Sequence, residues 1–326
     1  MNKLKKLIIL CVGICVVLFF LSGVNIFAKT LYLTATGGTM GGTTYPVAAT
    51  ISKIVSDNVK DVFCSVQSTG GTVAQLQLIK RNESQIGTCD PAATDAFNGT
   101  GKYKNDKMPF LRAIAPMYPE LKAVIVAKNS GIKSLYDLKG KTVSVGAVAS
   151  GTELTDRETL DVLGMTFDDI DARHLGSSET AQAFKDRQID ACLMTATDPA
   201  VIEMTSLGLV KLLPVDEEFL AKLKEKYPKY SSAVIPAGML KGVDEDIQTY
   251  AFWNAVITRV ELSEDVIYDI TAALYANKQD LVNTSVLMKT MMPENIKFLS
   301  IPLHPGAKKY YVDNGYSEYF NKSIEK

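Results

Sequence analysis

Three segments of the chain combine glycine with hydroxyl side chains in the same way. They are 36–45, 67–72 and 150–153, and each follows a predicted strand and opens a predicted helix. Glycine lets the backbone approach a ligand, and the N–H groups of a helix's first turn point outward at the partially positive end of the dipole. Ordinary helix capping would explain any one of these turns. Together they predict a carboxylate or phosphate site beyond the carboxyl ends of strands in an open α/β sheet.

Charged and aromatic residues at other predicted turns are candidates to complete this site. Most charged side chains are only solvated surface, but two acids stand out. Asp90 and Glu120 each follow an apolar run and adjoin a proline, and Tyr45 and Tyr118 offer both a ring and a hydroxyl at such turns. The charged candidates are Asp90, Arg112, Glu120, Glu153, Arg157 and Asp198.

Established catalytic motifs are missing from the sequence. It has no GxxxxGK[ST] phosphate loop, no HExxH and no GxSxG. The two histidines are His174, at the end of a predicted strand, and His304, in a Leu-His-Pro-Gly turn, and neither is placed as a general base. No CxxC spacing supports a zinc site. We therefore expect no enzymatic activity, no metal and no cofactor.

The N-terminus differs in composition from the rest of the chain. Lys3, Lys5 and Lys6 precede an uncharged apolar run over 7–24, which is typical of a signal sequence. Ala28 offers a small residue for cleavage, so 1–28 is predicted to be a signal peptide and the mature chain to be periplasmic or otherwise extracytoplasmic. An uncleaved anchor is the alternative, because 18 apolar residues just span a bilayer. A buried helix of the fold is disfavoured, since nothing would cover an apolar face all the way round.

The remaining composition indicates a globular chain of about two domains, with 326 residues of which 47% are hydrophobic. The net charge of -1 is spread along the chain and gives no footprint for nucleic acid. Cys64, Cys89 and Cys192 are predicted to be buried free thiols, with a single disulfide as the alternative.

The order of predicted elements favours an α/β fold used twice. Strands at 31–35, 62–68 and 86–89 alternate with helices at 46–59 and 72–81. A second set has strands at 142–146, 172–175 and 189–194 and helices at 152–163 and 180–187. From 244 to 292 the spacing of Trp253, Val256, Val260 and later apolar residues predicts mostly helix.

Eight segments, in order along nearly the whole mature chain, resemble a known family more specifically than any single motif does. They are 35–46, 68–73, 95–99, 117–120, 134–146, 150–153, 235–238 and 303–307. This ordered set resembles the TAXI family, the solute receptors of tripartite ATP-independent periplasmic (TRAP) transporters.

The resemblance implies a two-lobed clamp that closes on its ligand about a hinge. Lobe one would comprise 29–126 plus 236–326, and lobe two 127–235. The implied function is to bind a glutamate-like amino acid or a dicarboxylate, as a monomer, and to deliver it to TRAP permease subunits that use an ion gradient rather than ATP. By analogy the ligand-binding residues are Thr39, Thr43, Tyr45, Thr69, Gly70, Asp90, Tyr118, Ser150, Gly151 and Thr152.

Two positions depart from the family pattern. Cys89 precedes Asp90 where relatives more often carry a small polar residue after a glutamine, and Thr197 stands where glycine is common, two residues before Pro199. Both departures leave the identity of the ligand open. Two other functions also remain open, namely a secreted sensory or adhesion module and a hydrolytic enzyme on an α/β fold, which would need a nucleophile and a base within reach.

Overall fold

A single mixed sheet of ten strands runs through the protein. The structure is a computed structural model that describes residues 30–40, 42–89 and 92–321. The predicted signal peptide, 1–28, and Asp90 lie outside the described residues. Within the described ranges, no helix has the length and apolar character needed to cross a membrane.

The strands are, in chain order, β1 (Leu31–Gly37), β2 (Val62–Ser68), β3 (Ile86–Cys89), β4 (Leu111–Ala127), β5 (Thr142–Ser144), β6 (Asp171–Arg173), β7 (Ala191–Thr195), β8 (Val210–Leu213), β9 (Ser231–Ile235) and β10 (Ile247–Arg259). Their order across the sheet is β2-β1-β3-β10-β4-β7-β5-β6, with β8 paired to β4 and β9 paired to β10.

The α-helices are α1 (Thr44–Asn58), α2 (Thr72–Lys80), α3 (Ala92–Asn98), α4 (Gly151–Val162), α5 (Ser177–Lys185), α6 (Pro199–Ser206), α7 (Glu217–Lys226), α8 (Glu264–Ala276), α9 (Lys278–Thr284) and α10 (Pro305–Asp313). Short 3-10 helices lie at Gly101–Tyr103, Leu135–Leu138, Phe167–Asp169, Val286–Thr290, Pro293–Phe298 and Ser317–Tyr319. The predicted α/β fold is confirmed.

The two longest strands, β4 and β10, belong to both halves of the molecule. They pair antiparallel with each other. The C-terminal end of β10 also pairs with β3, which in turn pairs with β1. The C-terminal end of β4 pairs with β7 and β8, and the N-terminal end of β10 pairs with β9. We call the half with β1–β3, α1–α3 and α8–α10 lobe one, and the half with β5–β9 and α4–α7 lobe two. The residue boundaries of the lobes stay a prediction.

Side-chain alternation along β4 and β7 builds the core of lobe two. Val124 and Leu193 join an apolar cluster on one face of the sheet, and Ile125 and Cys192 join a separate cluster on the other. Successive residues of a strand point to opposite faces, so helices cover both sides. In lobe one, α8 and α9 pack on α1. The cysteines at 64, 89 and 192 are buried, and no disulfide joins any two of them.

The prediction of mostly helix over 244–292 is wrong for its first part. The segment 247–259 forms β10, and the first helix after it begins at Glu264. A central strand covered on both faces carries apolar residues on both of them, so its alternation disappears. Trp253 and Val256 therefore matched a helical spacing, whereas their neighbours are Tyr, Phe, Ile and Thr, types that favour strands.

Candidate functional site

The cavity between the two lobes brings the three glycine-rich turns together. Its volume is about 150 Å³, and its walls come from the starts of α1 and α2 on one side and of α4 on the other. Seven of the ten residues predicted to bind ligand line it, namely Thr39, Thr43, Gly70, Tyr118, Ser150, Gly151 and Thr152. Tyr45 and Thr69 are not among the lining residues, and Asp90 lies outside the described residues.

The first turn depends on a close approach of backbone to backbone. A β carbon at Gly37 would lie 2.5 Å from the α carbon of Tyr45, so only glycine fits there. The hydroxyl of Thr44 accepts a hydrogen bond from the N–H of Gly38 at 2.9 Å. This folds the turn back on the start of α1 and leaves Thr39 and Thr43 at the cavity wall.

Thr69 stabilises the turns instead of facing the cavity. Its hydroxyl donates to the carbonyl of Gly37 at 2.8 Å and accepts from the N–H of Gly71 at 3.1 Å. Its own N–H donates to the carbonyl of Gly38. The prediction of a ligand contact came from the Ser-Thr-Gly-Gly pattern, and this pattern does not distinguish a hydroxyl that faces ligand from one that ties two loops together.

The third turn begins α4 and lies at the cavity wall. Ser150 caps the helix by accepting a hydrogen bond from the N–H of Glu153 at 3.1 Å. The N–H groups of Gly151 and Thr152 have no partner within the helix, because they belong to its first turn. The Glu153 carboxylate accepts from the N–H of Ala149 and pairs with Arg157, which lowers its pKa despite partial burial. Glu153 and Arg157 therefore stabilise the turn and its helix.

Glu120 places a carboxylate at the cavity wall from β4. One oxygen accepts a hydrogen bond from the Asn254 side chain on β10, and the other accepts from the Thr195 hydroxyl on β7, both at 2.7 Å. All three residues line the cavity. Arg112, the other charged candidate on this strand, lies away from it and donates to the carbonyls of Pro109 and Leu111.

Lys122 was not among the residues predicted to form the site, but it lines the cavity two residues beyond Glu120. Its ammonium donates to the Thr155 hydroxyl, the Asp156 carboxylate and the carbonyl of Leu193, at 2.9 to 3.0 Å. An ammonium has three protons, so all are used within the protein. Period-two spacing from Glu120 was the signal that could have found Lys122, because residues i and i+2 of a strand share a face.

The buried pair of Lys122 and Asp156 has almost no access to solvent, with side chains 2% and 0% exposed. Burial raises the pKa of Asp156 to about 6 although Lys122 opposes the shift. Its second carboxylate oxygen has no hydrogen-bond partner among the described residues. The two opposite charges balance each other, and of the pair only Lys122 lines the cavity.

Asp198 and Thr197 mark the edge of the cavity in lobe two. The Asp198 carboxylate caps α6 by accepting from the N–H of Ala200, and it accepts from the Ser177 hydroxyl at the start of α5, each at 2.8 Å. Burial raises its pKa. The Thr197 hydroxyl oxygen is buried and has no partner within the described part of the chain.

Neither histidine belongs to the cavity. The Nδ1 of His304 accepts from the N–H of Gly306 at 3.1 Å and so caps α10, and burial lowers its pKa. His174 lies 5.7 Å from Phe167, ring centroid to ring centroid. Among the described residues, no group of His, Cys, Asp and Glu is arranged to hold a metal ion.

The chain is similar to a known protein family and to several solved structures. The model of the NMT1-like family matches residues 34–315. The alkanesulfonate-binding protein SsuA from Xanthomonas axonopodis pv. citri, bound to MOPS, is 14% identical over 92% of this chain and 96% of its own, with a TM-score of 0.46.

Two further solved structures are similar at the same level. The periplasmic aliphatic sulphonate binding protein SsuA from Escherichia coli is 16% identical over 91% of this chain and 94% of its own, with a TM-score of 0.45. A putative L-cystine ABC transporter protein from Listeria monocytogenes is 14% identical over 80% of this chain and 97% of its own, with a TM-score of 0.49. At these identities none of the three says what this chain binds.

Proposed function

The chain belongs to the NMT1-like family of non-enzymatic solute-binding proteins, and from that premise we propose a specific role for it. It is the extracytoplasmic receptor that captures a small carboxylate-bearing solute, a glutamate-like amino acid or a dicarboxylate. It then delivers this solute to the membrane subunits of a TRAP transporter. The observation that carries the proposal is the meeting of three glycine-rich turns at one cavity between the lobes.

The turns supply the anion-binding chemistry. The first-turn amides of α4 lie at the positive end of the helix dipole, where a carboxylate is stabilised. The hydroxyls of Thr39, Thr43 and Thr152 at the same cavity are donors that fix its orientation. Lys122 is paired with Asp156 and donates all its protons to protein atoms, so amides and hydroxyls are the groups that contact the ligand.

Glu120 supplies the opposite charge. Asn254 and Thr195, which are both neutral, each donate a hydrogen bond to its carboxylate and help to hold it in position. An ammonium group placed against it completes the recognition of an amino acid. Asp90 is the second candidate for this role.

The cavity has a volume of about 150 Å³. This favours a ligand of amino-acid or C4 to C5 dicarboxylate size over a peptide or an oligosaccharide.

The transporter class is proposed from sequence. The eight segments that resemble TAXI receptors support a permease driven by an ion gradient, and an ATP-driven transporter is the alternative. The predicted signal peptide, 1–28, supports an extracytoplasmic location.

Isothermal titration calorimetry of the protein with L-glutamate, L-glutamine, and C4 and C5 dicarboxylates tests the ligand class, with an alkanesulfonate as the control ligand. We expect one carboxylate to bind with 1:1 stoichiometry and the alkanesulfonate not to bind. Uptake into proteoliposomes that contain the permease subunits then tests the partner. Uptake that needs an ion gradient supports a TRAP transporter, and uptake that needs ATP overturns it.

A further inference from the structure

A buried ion pair joins the two lobes away from the ligand cavity. The ammonium of Lys229, just before β9 in lobe two, contacts the carboxylate of Asp95 on α3 in lobe one. It also contacts Glu158 on α4, within lobe two, at 2.7 Å. The side chains of Lys229, Asp95 and Glu158 are only 5%, 10% and 8% exposed, so solvent screens these contacts little.

The strand β10 separates this cluster from the ligand. Phe252 and Asn254 line the ligand cavity, whereas Trp253 lines a second cavity of about 440 Å³ that Asp95 and Lys229 also line. Successive strand residues point to opposite faces, so the ion pair lies across β10 from the bound solute. The pair therefore acts on the arrangement of the lobes without touching the ligand.

Only one of the two contacts of Lys229 crosses between the lobes. Glu158 and Lys229 belong to the same lobe and move together, and the Tyr230 hydroxyl also donates to Glu158. Asp95 is held in lobe one by the Thr100 hydroxyl, which donates to its other oxygen at 2.9 Å. A rotation of one lobe against the other about an axis that does not pass through this pair changes the distance between Asp95 and Lys229.

We propose that Asp95 and Lys229 form a latch that holds the lobes in the closed arrangement. If the lobes move apart while Asp95 stays buried, its charge is left without a compensating partner, which favours the arrangement in which Asp95 and Lys229 touch. The latch therefore raises the closed population of the unliganded protein and, through it, the apparent affinity for solute.

Hydrogen–deuterium exchange of the unliganded full chain tests the latch without a ligand. The variants are Asp95→Asn, which removes the contact between lobes, and Glu158→Gln, its matched control in the same cluster. We expect peptides over 69–76 and 148–155, which face the cleft, to exchange about tenfold faster in D95N. In E158Q they should exchange at the rate of the unmodified protein. Peptides of the core strands β1 and β7 should be unchanged in both, which separates lobe opening from general destabilisation.

If D95N does not fold, a second pair of variants provides the same test. The double variant E158Q/K229Q removes the same contact from the other side, with E158Q as its reference, and the same cleft peptides should exchange faster. Unchanged cleft exchange on loss of the Asp95 contact, or equal acceleration in E158Q, overturns the latch. Because no solute is present, this result does not depend on the proposed ligand class.

Discussion

Gly71 in lobe one lies directly against Ser150 in lobe two. A β carbon at Gly71 would be 2.8 Å from the Ser150 α carbon and 3.3 Å from its β carbon. Gly71 precedes α2 and Ser150 caps α4, so two of the three glycine-rich turns touch each other across the cleft. The lobes are therefore closed in the described arrangement. This closure requires that residue 71 be glycine, which has no side chain.

Gly71→Ala is expected to weaken solute binding by tenfold or more, about 1.4 kcal/mol, because the added methyl group prevents the two turns from meeting. The residue also has a φ of 137°, so a stability loss of about 1–3 kcal/mol accompanies the change. Calorimetric titration and a thermal melt separate the two effects. Gly131→Ala is the control, since Gly131 also has a positive φ, 73°, a β carbon there meets nothing within 4 Å, and it is not among the residues that line the cavity. Equal affinity of both variants would show that the turns do not meet in the bound state.

Glu120→Gln distinguishes the two candidate ligand classes. The amide keeps the size of the side chain and removes its negative charge. For an amino acid, affinity should fall by about 2 kcal/mol or more, because the ammonium loses a charge-assisted hydrogen bond. For a dicarboxylate, affinity should hold or rise, since a repulsive charge is gone. Titration of both ligands against both proteins measures this, and a loss of dicarboxylate affinity alone would contradict the assigned role.

Lys122→Met is expected to lower the free energy of unfolding by about 3–5 kcal/mol. It leaves the Asp156 carboxylate buried with no compensating charge. The double variant K122M/D156N should regain most of the loss, because the buried charge is then also removed. Urea denaturation of the two variants provides the measurement. A single variant within about 1 kcal/mol of the unmodified protein would disprove the dependence of Asp156 on Lys122.

The pKa of Glu158 predicts a specific dependence of stability on pH. Burial, aided by the nearby Asp95 charge, raises that pKa to about 7 against the pull of Lys229. A raised pKa means that the folded state binds the proton more tightly, so this contribution is full below about pH 4.5 and disappears as the pH rises through 7.

The unfolding free energy of the unmodified protein, relative to that of E158Q, should therefore fall by about 2 kcal/mol between pH 5 and pH 8. Urea titrations at pH 5, 6, 7 and 8 on both proteins give this difference. A difference that stays flat or rises over that range would mean that Lys229 keeps Glu158 ionised throughout.

The features predicted best from the sequence are those that depend only on neighbouring residues of the chain. Glycine and hydroxyl residues placed after short strands predicted the turns of the cavity, and seven of the ten proposed ligand contacts line it. The same pattern gave no sign that the Thr69 hydroxyl joins two loops, because the partner of a hydroxyl is decided by tertiary structure, and the ligand contact of Thr69 stays a prediction.

Long-range features could not be predicted in the same way. The strand β10 is covered on both faces, so its apolar residues carried no alternation and suggested a helix. The contact of Lys122 with Asp156 joins residues 34 positions apart, and that of Asp95 with Lys229 joins residues 134 apart. Neither pair has any local sequence signal.

A crystal structure with the tightest-binding carboxylate from the titration panel shows where the solute binds. We expect the ligand between the lobes, with a carboxylate within hydrogen-bond distance of the first-turn amides of Gly151 or Thr152, and Gly71 still against Ser150. A ligand in the cavity beside Trp253, or one whose carboxylate contacts none of the three turns, would contradict this expectation.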